Sequence, residues 1–411
     1  MHPSLHRYRS CALLTCALLV AGCGAMTGAP RGAQTAAERF RIMPPQDEVV
    51  GRAAWYRPRM RVVGVNSAAT RTDAASGGTS GAPKDSIERF GAALAAARRW
   101  DSLAVVVLVD GRVVLEDYAA GVDANTQFDS QSMHRGLLAL AVLAAREDGA
   151  IRSLAQPLAD FIPEWRAADD ARGRIRLSDL LHNQSGFVDP PYEFRADSPG
   201  MQLFIGDDLR GLVLAQRPTA LPGKNYRGTA LDAQLLGLVL ERATGEPYAK
   251  FLSRRLWRPL GAGEAWVRLD RDGGGTRTFC CLQATARDWA RVGELVRRGG
   301  IAQVAARERR ILTADSVAQL LAPAPLNRAV GMSWFLEPTS LVPRSVAGDR
   351  PLPVPTAFDA KGVVYAGGRG GQRVYVLPAQ NAVVVRIGRI RNDFDDGAFL
   401  NPFIAALAAK P

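Results

Sequence analysis

Four β-branched runs, two near each end of the chain, most constrain what it can fold into. "SLAVVVLVDGRVVLEDYAAG" (102–121) turns at Asp110-Gly111, and "QRVYVLPAQNAVVVRIGRI" (372–390) repeats that arrangement around "PAQN". Each reads as a β-hairpin. The long stretch between them is mainly helical by its apolar period, with scattered loops. "IERFGAALAAARRW" (87–100) precedes the first hairpin and "FLNPFIAALAA" (399–409) follows the second, both helical by period. The predicted fold class is α/β in the α+β sense: an antiparallel sheet built from both chain ends, flanked by helices, with a mainly helical region inserted. No internal repeat is present.

The start of the chain stands outside that pattern. Arg7 and Arg9 precede the short apolar run "CALLTCALLV", and Ala21, Gly22 and Cys23 follow it. This is the order of a secretion signal, too short to span a bilayer as a mature helix. "LVAGC" resembles the bacterial lipobox, which implies cleavage before Cys23 and acylation of its thiol. The implied partner is membrane lipid held through Cys23. Gly24 after that cysteine implies an outer-membrane location facing the periplasm. Residues 66–86, "NSAATRTDAASGGTSGAPKDS", hold too few apolar side chains to repay their ordering and read as a flexible tether. The expected organisation is a signal peptide over 1–22, a lipidated N-terminus and tether over 23–86, and one enzyme-sized domain over 87–411, within reach of a 411-residue chain that is 47% hydrophobic. "WYRP" at 55–58 carries no motif.

Composition excludes several functions. The formal charge is +12, but the basic residues are scattered and an exported chain meets little nucleic acid, so no nucleic-acid partner is expected. Only five of the 52 basic residues are lysine, a bias toward arginine that bears on the site below. Beyond the signal and Cys23, the cysteines are the adjacent Cys280 and Cys281, read as two buried thiols beside Phe279. No C-x-x-C exists and only His134 and His182 follow the signal, so neither a metal nor another cofactor is expected.

The chemistry concentrates in "FDSQSMHRGLLALAVLAAREDGAI" (128–151). If a helix starts near Ser132, the side chain at 135 lies one turn on, along the same face, and the helix N-terminus favours negative charge on the serine oxygen. Taken alone, Ser132 reads as a helix cap. No G-x-S-x-G elbow occurs. His134, two residues from Ser132, points away from it on a helix, and His182 sits before the Ser185-Gly186 turn, where it reads as capping or pinning a loop.

Five blocks in order lift Ser132 above the cap reading: the stretch just quoted, continuing to "FIPEW"; "IRLSDLLHNQSGF"; "LPGKNYRGTALDAQLLGLVLERATGEPYAKFLSRRLWRPLGA"; "FCCLQATARDWARVGEL"; and "GGRGGQRVYVLP". Over about residues 87–408 they resemble the serine beta-lactamase-related family, which includes class C beta-lactamases, D-alanyl-D-alanine carboxypeptidases, esterases and 6-aminohexanoate-dimer hydrolases, with the nylon-oligomer hydrolase and esterase branch nearest. The resemblance implies a beta-lactamase/transpeptidase-like fold and acyl transfer through a serine ester on a small ester or amide substrate. It places Ser132 at the nucleophile of the family's Ser-x-x-Lys motif, with Arg135 where the lysine base stands. Guanidinium stays protonated over the usable pH range, so Arg135 can stabilise an alkoxide but cannot take its proton.

The family's Tyr-x-Asn or Tyr-x-Ser motif also departs. An ungapped alignment on "PG" and "LLG" puts Gly228 at the tyrosine. A two-residue shift restores Tyr226 as the second proton carrier, and a packing ring is the competing reading. Lys224 and Lys361 are the lysines near these motifs. In "YAGGRGGQRVYV", Ala366, Gly367 and Gly368 match the strand that supplies an oxyanion-hole amide, with Ala366 replacing its leading Lys or His. Two functions follow: a membrane-tethered serine hydrolase using Ser132, Arg135 and Tyr226, or a catalytically lapsed relative that binds a ligand or cell-wall component. The loops over 188–200 and 337–355 are expected to line the cleft. Substrate identity and oligomeric state are not encoded.

Overall fold

The computed structural model describes residues 34–65, 88–167, 169–304, 307–339 and 354–409. The signal segment, Cys23, the tether and most of the 337–355 loop lie outside the described residues. The two hairpins form as the pattern predicts. β2 (Ser102–Val109) and β3 (Arg112–Tyr118) join at Asp110 and Gly111, both with positive φ, and β10 (Gln372–Leu377) and β11 (Ala382–Gly388) join through a 3-10 turn at Pro378–Gln380. β11 pairs antiparallel with β2, and β9 (Val364–Gly368) pairs with β10, giving a sheet of order β3-β2-β11-β10-β9. Both chain ends thus build one antiparallel sheet.

Its central strands are continuous apolar runs because both faces are covered. Val105, Val107, Tyr375 and Val384 face a layer made by the terminal helices, Gly91–Arg99 and Asp396–Ala408, through Phe90, Leu94, Phe399 and Phe403. Val106, Leu108, Val374 and Val383 face the larger core and the Ala286–Arg297 helix. That helix packs closely at Gly293, where an added Cβ would meet Val383 and Val374 methyls at 2.6 and 2.7 Å. On the other face the buried Arg373 donates to the Asp396 carboxylate at 2.6 Å, and Tyr375 Oη donates to the same group at 2.6 Å, clamping the last helix to β10.

Residues 34–65 belong to the packed body. The Ala36–Ile42 helix begins in a Thr35/Glu38 capping box, and β1 (Arg59–Val62) pairs with β5 (Ala265–Arg268), which continues through β6 (Gln283–Ala284) to β4 (Phe128–Asp129) in a second, four-stranded sheet. β4 is the pair of residues that leads into Ser132.

Candidate active site

The Ser132 turn is a short connector whose conformation its neighbours impose. β4 ends at Asp129, residues Gln131–Met133 make one 3-10 turn, and the His134–Glu147 helix starts immediately after. Gln131 has φ +50°, a left-handed conformation that costs a non-glycine residue energy and persists only where surroundings hold it. They do: Asp129 Oδ1 accepts from both the backbone N and Nε2 of Gln131 at 2.9 Å, and Arg268 pairs with the same carboxylate at 2.5 Å. Asp129 and Arg268 are fully or nearly fully buried, so this support is dry. Sequence reasoning missed both residues; an aspartate three before a candidate nucleophile was the available signal.

A second segment, 279–282, runs beside the turn and holds it by three carbonyls. Leu282 O accepts from Ser130 N at 3.0 Å, Cys280 O from His134 Nδ1 at 2.9 Å, and Phe279 O from Arg135 Nε at 3.1 Å. Because the Cys280 carbonyl only accepts, His134 carries its proton on Nδ1, and its Nε2 accepts from Tyr248 Oη at 2.7 Å. Burial pushes the His134 pKa down to about 4, so it is a neutral core residue facing away from Ser132. His182 caps the Leu177–Leu181 helix and contributes no second triad candidate. Cys280 and Cys281, expected as two thiols, are joined by a vicinal disulfide, which Cys281 accommodates with φ +77°. It closes no loop, so the fold still rests on its core.

Arg135 is part-buried, and desolvation lowers its pKa from the ordinary guanidinium value while Asp189, Asp232 and Tyr226 oppose the shift. These groups converge from three segments: Asp189 from the 188–200 loop, Asp232 from the Ala230–Thr244 helix, and Tyr226 from the loop before it. Asp189 accepts from the first amides of that helix, Ala230 N at 2.8 Å and Leu231 N at 3.1 Å. Tyr226 lies close enough to Arg135 to feel its charge. Burial raises the phenol's pKa, and the hydrogen bond to Asn327 and the Arg135 charge pull it back. Lys224 and Lys361 are exposed. Among the described residues nothing hydrogen-bonds Ser132 Oγ.

Asp232 is 1% exposed and receives Ser185 Oγ at 2.5 Å on Oδ1, while Oδ2 has no partner among the described residues. Burial pushes its pKa up to about 8 against hydrogen bonds from Ser185 and Thr229. The folded chain therefore keeps this proton to about pH 8, whereas an unfolded aspartate near 3.8 has released it. Folding binds the extra proton between those values, so Asp232 makes stability fall as pH rises through that window, by up to about 1.4 kcal/mol per pH unit, and level off above it. Asp232→Asn should flatten this component. The check is the difference in urea midpoint between wild type and variant at pH 5, 6, 7 and 8, which should shift steadily in the variant's favour.

The third segment is the end of β9, the edge strand of the main sheet. Tyr365 exchanges both backbone hydrogen bonds with Phe335 on the outer edge, at 2.8 and 2.9 Å. By strand alternation the amides of Ala366 and Gly368 point into the ladder with β10, and the Gly367 amide points outward. Gly368 serves by lacking a side chain: an added Cβ would sit 2.7 Å from Ser130 O and 2.9 Å from Met133 N. The strand end therefore touches the Ser132 turn directly. Arg369 follows, donating to Gln46 Oε1 at 2.7 Å and lying near Tyr192 of the 188–200 loop.

Comparison with known proteins places this geometry. The family model described as Beta-lactamase matches residues 87–409. The 6-aminohexanoate-dimer hydrolase of Paenarthrobacter ureafaciens is 27% identical over 208 residues, 48% of this chain and 53% of that protein. Esterase EstB of Burkholderia gladioli is 32% identical over 162 residues, 36% of this chain and 40% of that protein. The chain thus spans about half the length of the hydrolase and less of the esterase. Among solved structures, a family VIII carboxylesterase superposes with a TM-score of 0.59 at 17% identity, covering 80% of this chain and 98% of the other. A class C beta lactamase from Rhodobacter sphaeroides gives 0.52 at 19% identity, covering 78% and 98%. At such identities the superpositions establish a shared beta-lactamase/transpeptidase-like fold.

Proposed function

Because the chain belongs to the beta-lactamase family, we propose that it is a serine hydrolase that cleaves small esters or amides through a Ser132 acyl-enzyme. One observation carries the reading: a strained turn presents Ser132 at a helix start, packed against the strand end that turns the Gly367 amide outward. Ser132 Oγ attacks the acyl carbon, the developing oxyanion is met by the outward Gly367 amide, and Arg135 stabilises the negative charge. The hydroxyl proton passes to the leaving group through Tyr226, which takes it as it gives up its own. Water then resolves the ester. Tyr226 with a raised pKa is a proton donor and relay, not a resting base. Substrates whose leaving group needs no proton, such as p-nitrophenyl esters, should therefore outrun amides of the same acyl group.

Two parts of this reading rest on residues outside the described set. Acylation of Cys23 would tether the chain to the membrane, at the outer membrane facing the periplasm, with residues 66–86 as spacer. Among the described residues no helix is long and apolar enough to cross a membrane. The second reading, a lapsed enzyme that binds a ligand or a cell-wall component, draws on Arg135, whose Nε donates to Phe279 O, and on Ser132 Oγ, which has no hydrogen-bond partner among the described residues.

Intact-protein mass after exposure to a fluorophosphonate probe separates the two. Hydrolase function predicts one adduct on wild type, mapped to Ser132 and absent from Ser132→Ala. An unlabelled wild type whose thermal unfolding is unchanged from that of the variant would establish the binding reading instead.

A further inference from the structure

We propose that the Cys280–Cys281 disulfide is a redox-modification site that sets the geometry of the Ser132 turn. Three observations meet there. The bonded pair lies within the four-residue segment whose carbonyls hold Ser130, His134 and Arg135. Cys281 is held at φ +77°, a conformation that an L-residue without such a tie rarely keeps. Phe279, beside the pair, packs edge-on against Phe204, which in turn meets Tyr192 of the 188–200 loop. The bond therefore ties both the nucleophile's turn and, through Phe279 and Phe204, the 188–200 loop to a single backbone conformation.

Reduction removes that tie. A dithiol reductant gives two electrons and two protons to the bond; Cys280 and Cys281 become thiols and the reductant becomes a disulfide. Freed of the ring, Cys281 relaxes toward negative φ, which rotates the peptide joining it to Leu282. The Leu282 carbonyl then leaves Ser130 N, and the Phe279 and Cys280 carbonyls shift against Arg135 and His134. Gln131 loses part of the packing that holds its own left-handed conformation. The turn loosens, and Ser132 is no longer held against β9. The pair is 3% and 2% exposed, so attack proceeds through local opening and is slow compared with that on a surface disulfide.

Only the last consequence, a fall in acylation, rests on Ser132 being the nucleophile, so the experiment reads three levels on the full chain. Alkylation with iodoacetamide after denaturation, without reductant, should leave Cys280 and Cys281 unmodified; after native treatment with excess dithiothreitol both should be alkylated. Amide hydrogen exchange over 130–135 should then accelerate by about tenfold or more, while the Ala286–Arg297 helix stays unchanged. Fluorophosphonate labelling should slow by a similar factor. A Cys280→Ala/Cys281→Gly variant should keep slow exchange and ignore reductant, since glycine adopts positive φ freely. Cys280→Ser/Cys281→Ser should behave as the reduced protein.

Free thiols in the untreated chain, a bond that survives native dithiothreitol, unchanged exchange after reduction, or a glycine variant as loose as the serine variant would each overturn the proposal. Exchange that responds to reduction in a chain that never labels supports the redox site and counts against the hydrolase reading instead.

Discussion

Arg135→Lys should acylate on Ser132 about 10²-fold faster than wild type, the lower end of what a positioned general base contributes. The expectation follows from what surrounds the side chain. Desolvation lowers the pKa of whichever cation stands at 135, and for arginine the fall starts so high that the group stays charged. An ammonium starts about two units lower and has a neutral form that can accept the Ser132 proton. Asp189 works against that neutral form, which argues for measuring across pH. The variant's acylation rate with a p-nitrophenyl ester should rise with pH along a single titration, and wild type should lack that limb. The gain should be larger for an amide than for the activated ester, because the amide also needs its leaving group protonated. Equal rates for wild type and Arg135→Lys, both abolished by Ser132→Ala, would show that the proton never passes through position 135.

The main sheet was legible because its signal is local. Asp110-Gly111 supplies the positive φ of a tight hairpin, and the alternate valines of β2 and β11 have a face to bury on either side. Position 132 was legible only as a place in a motif. The residues that shape its conformation, Asp129, Arg268 and the 279–282 carbonyls, come from segments whose meeting no spacing encodes. Tyr226 illustrates the difference. An ungapped alignment makes it a packing ring, while the fold brings it within the field of Arg135 and into a hydrogen bond with Asn327. Gly368 was legible as a glycine that mattered, but its use is the 2.7 Å approach to Ser130 O, and the outward amide belongs to Gly367. The Cys280–Cys281 bond was not legible, since nothing in the local sequence signals the positive φ that accompanies it at Cys281.

A chain starting at residue 88 should fail to fold into a labelling-competent state, whereas one starting at residue 34 should match the full chain. Residues 34–65 carry no motif, yet they back the nucleophile's turn. Val50 O accepts from Asp129 N at 3.0 Å, Ala53 O from Gln283 Nε2 at 2.7 Å, and Arg59 Nη1 donates to Gln283 Oε1 at 2.6 Å. The buried Tyr56 ring lies against Arg39, Arg268 and Arg277, at 4.8, 4.9 and 5.6 Å from its centroid, and Arg268 is the partner of Asp129. Cutting at 88 removes β1 and Tyr56 and leaves the Arg268 and Arg277 guanidinium groups, the Asp129 amide and the Gln283 side chain without these partners.

The single-residue form of the test is Arg39→Met. Arg39 is fully buried and donates to the carbonyls of Arg57, Ile205, Gly206 and Asp270, joining the N-terminal segment to two distant loops. Methionine keeps much of the stem and removes the Arg39 donor from the Arg57, Ile205 and Asp270 carbonyls, while Gly206 O keeps Arg277. Unsatisfied buried carbonyls make the loss about 3 kcal/mol or more, read as a lower urea midpoint. Because Asp129 depends on the same segment, fluorophosphonate labelling of Ser132 should slow even where the variant remains folded. Full-rate labelling in a chain that begins at residue 88 would show that the turn supports itself.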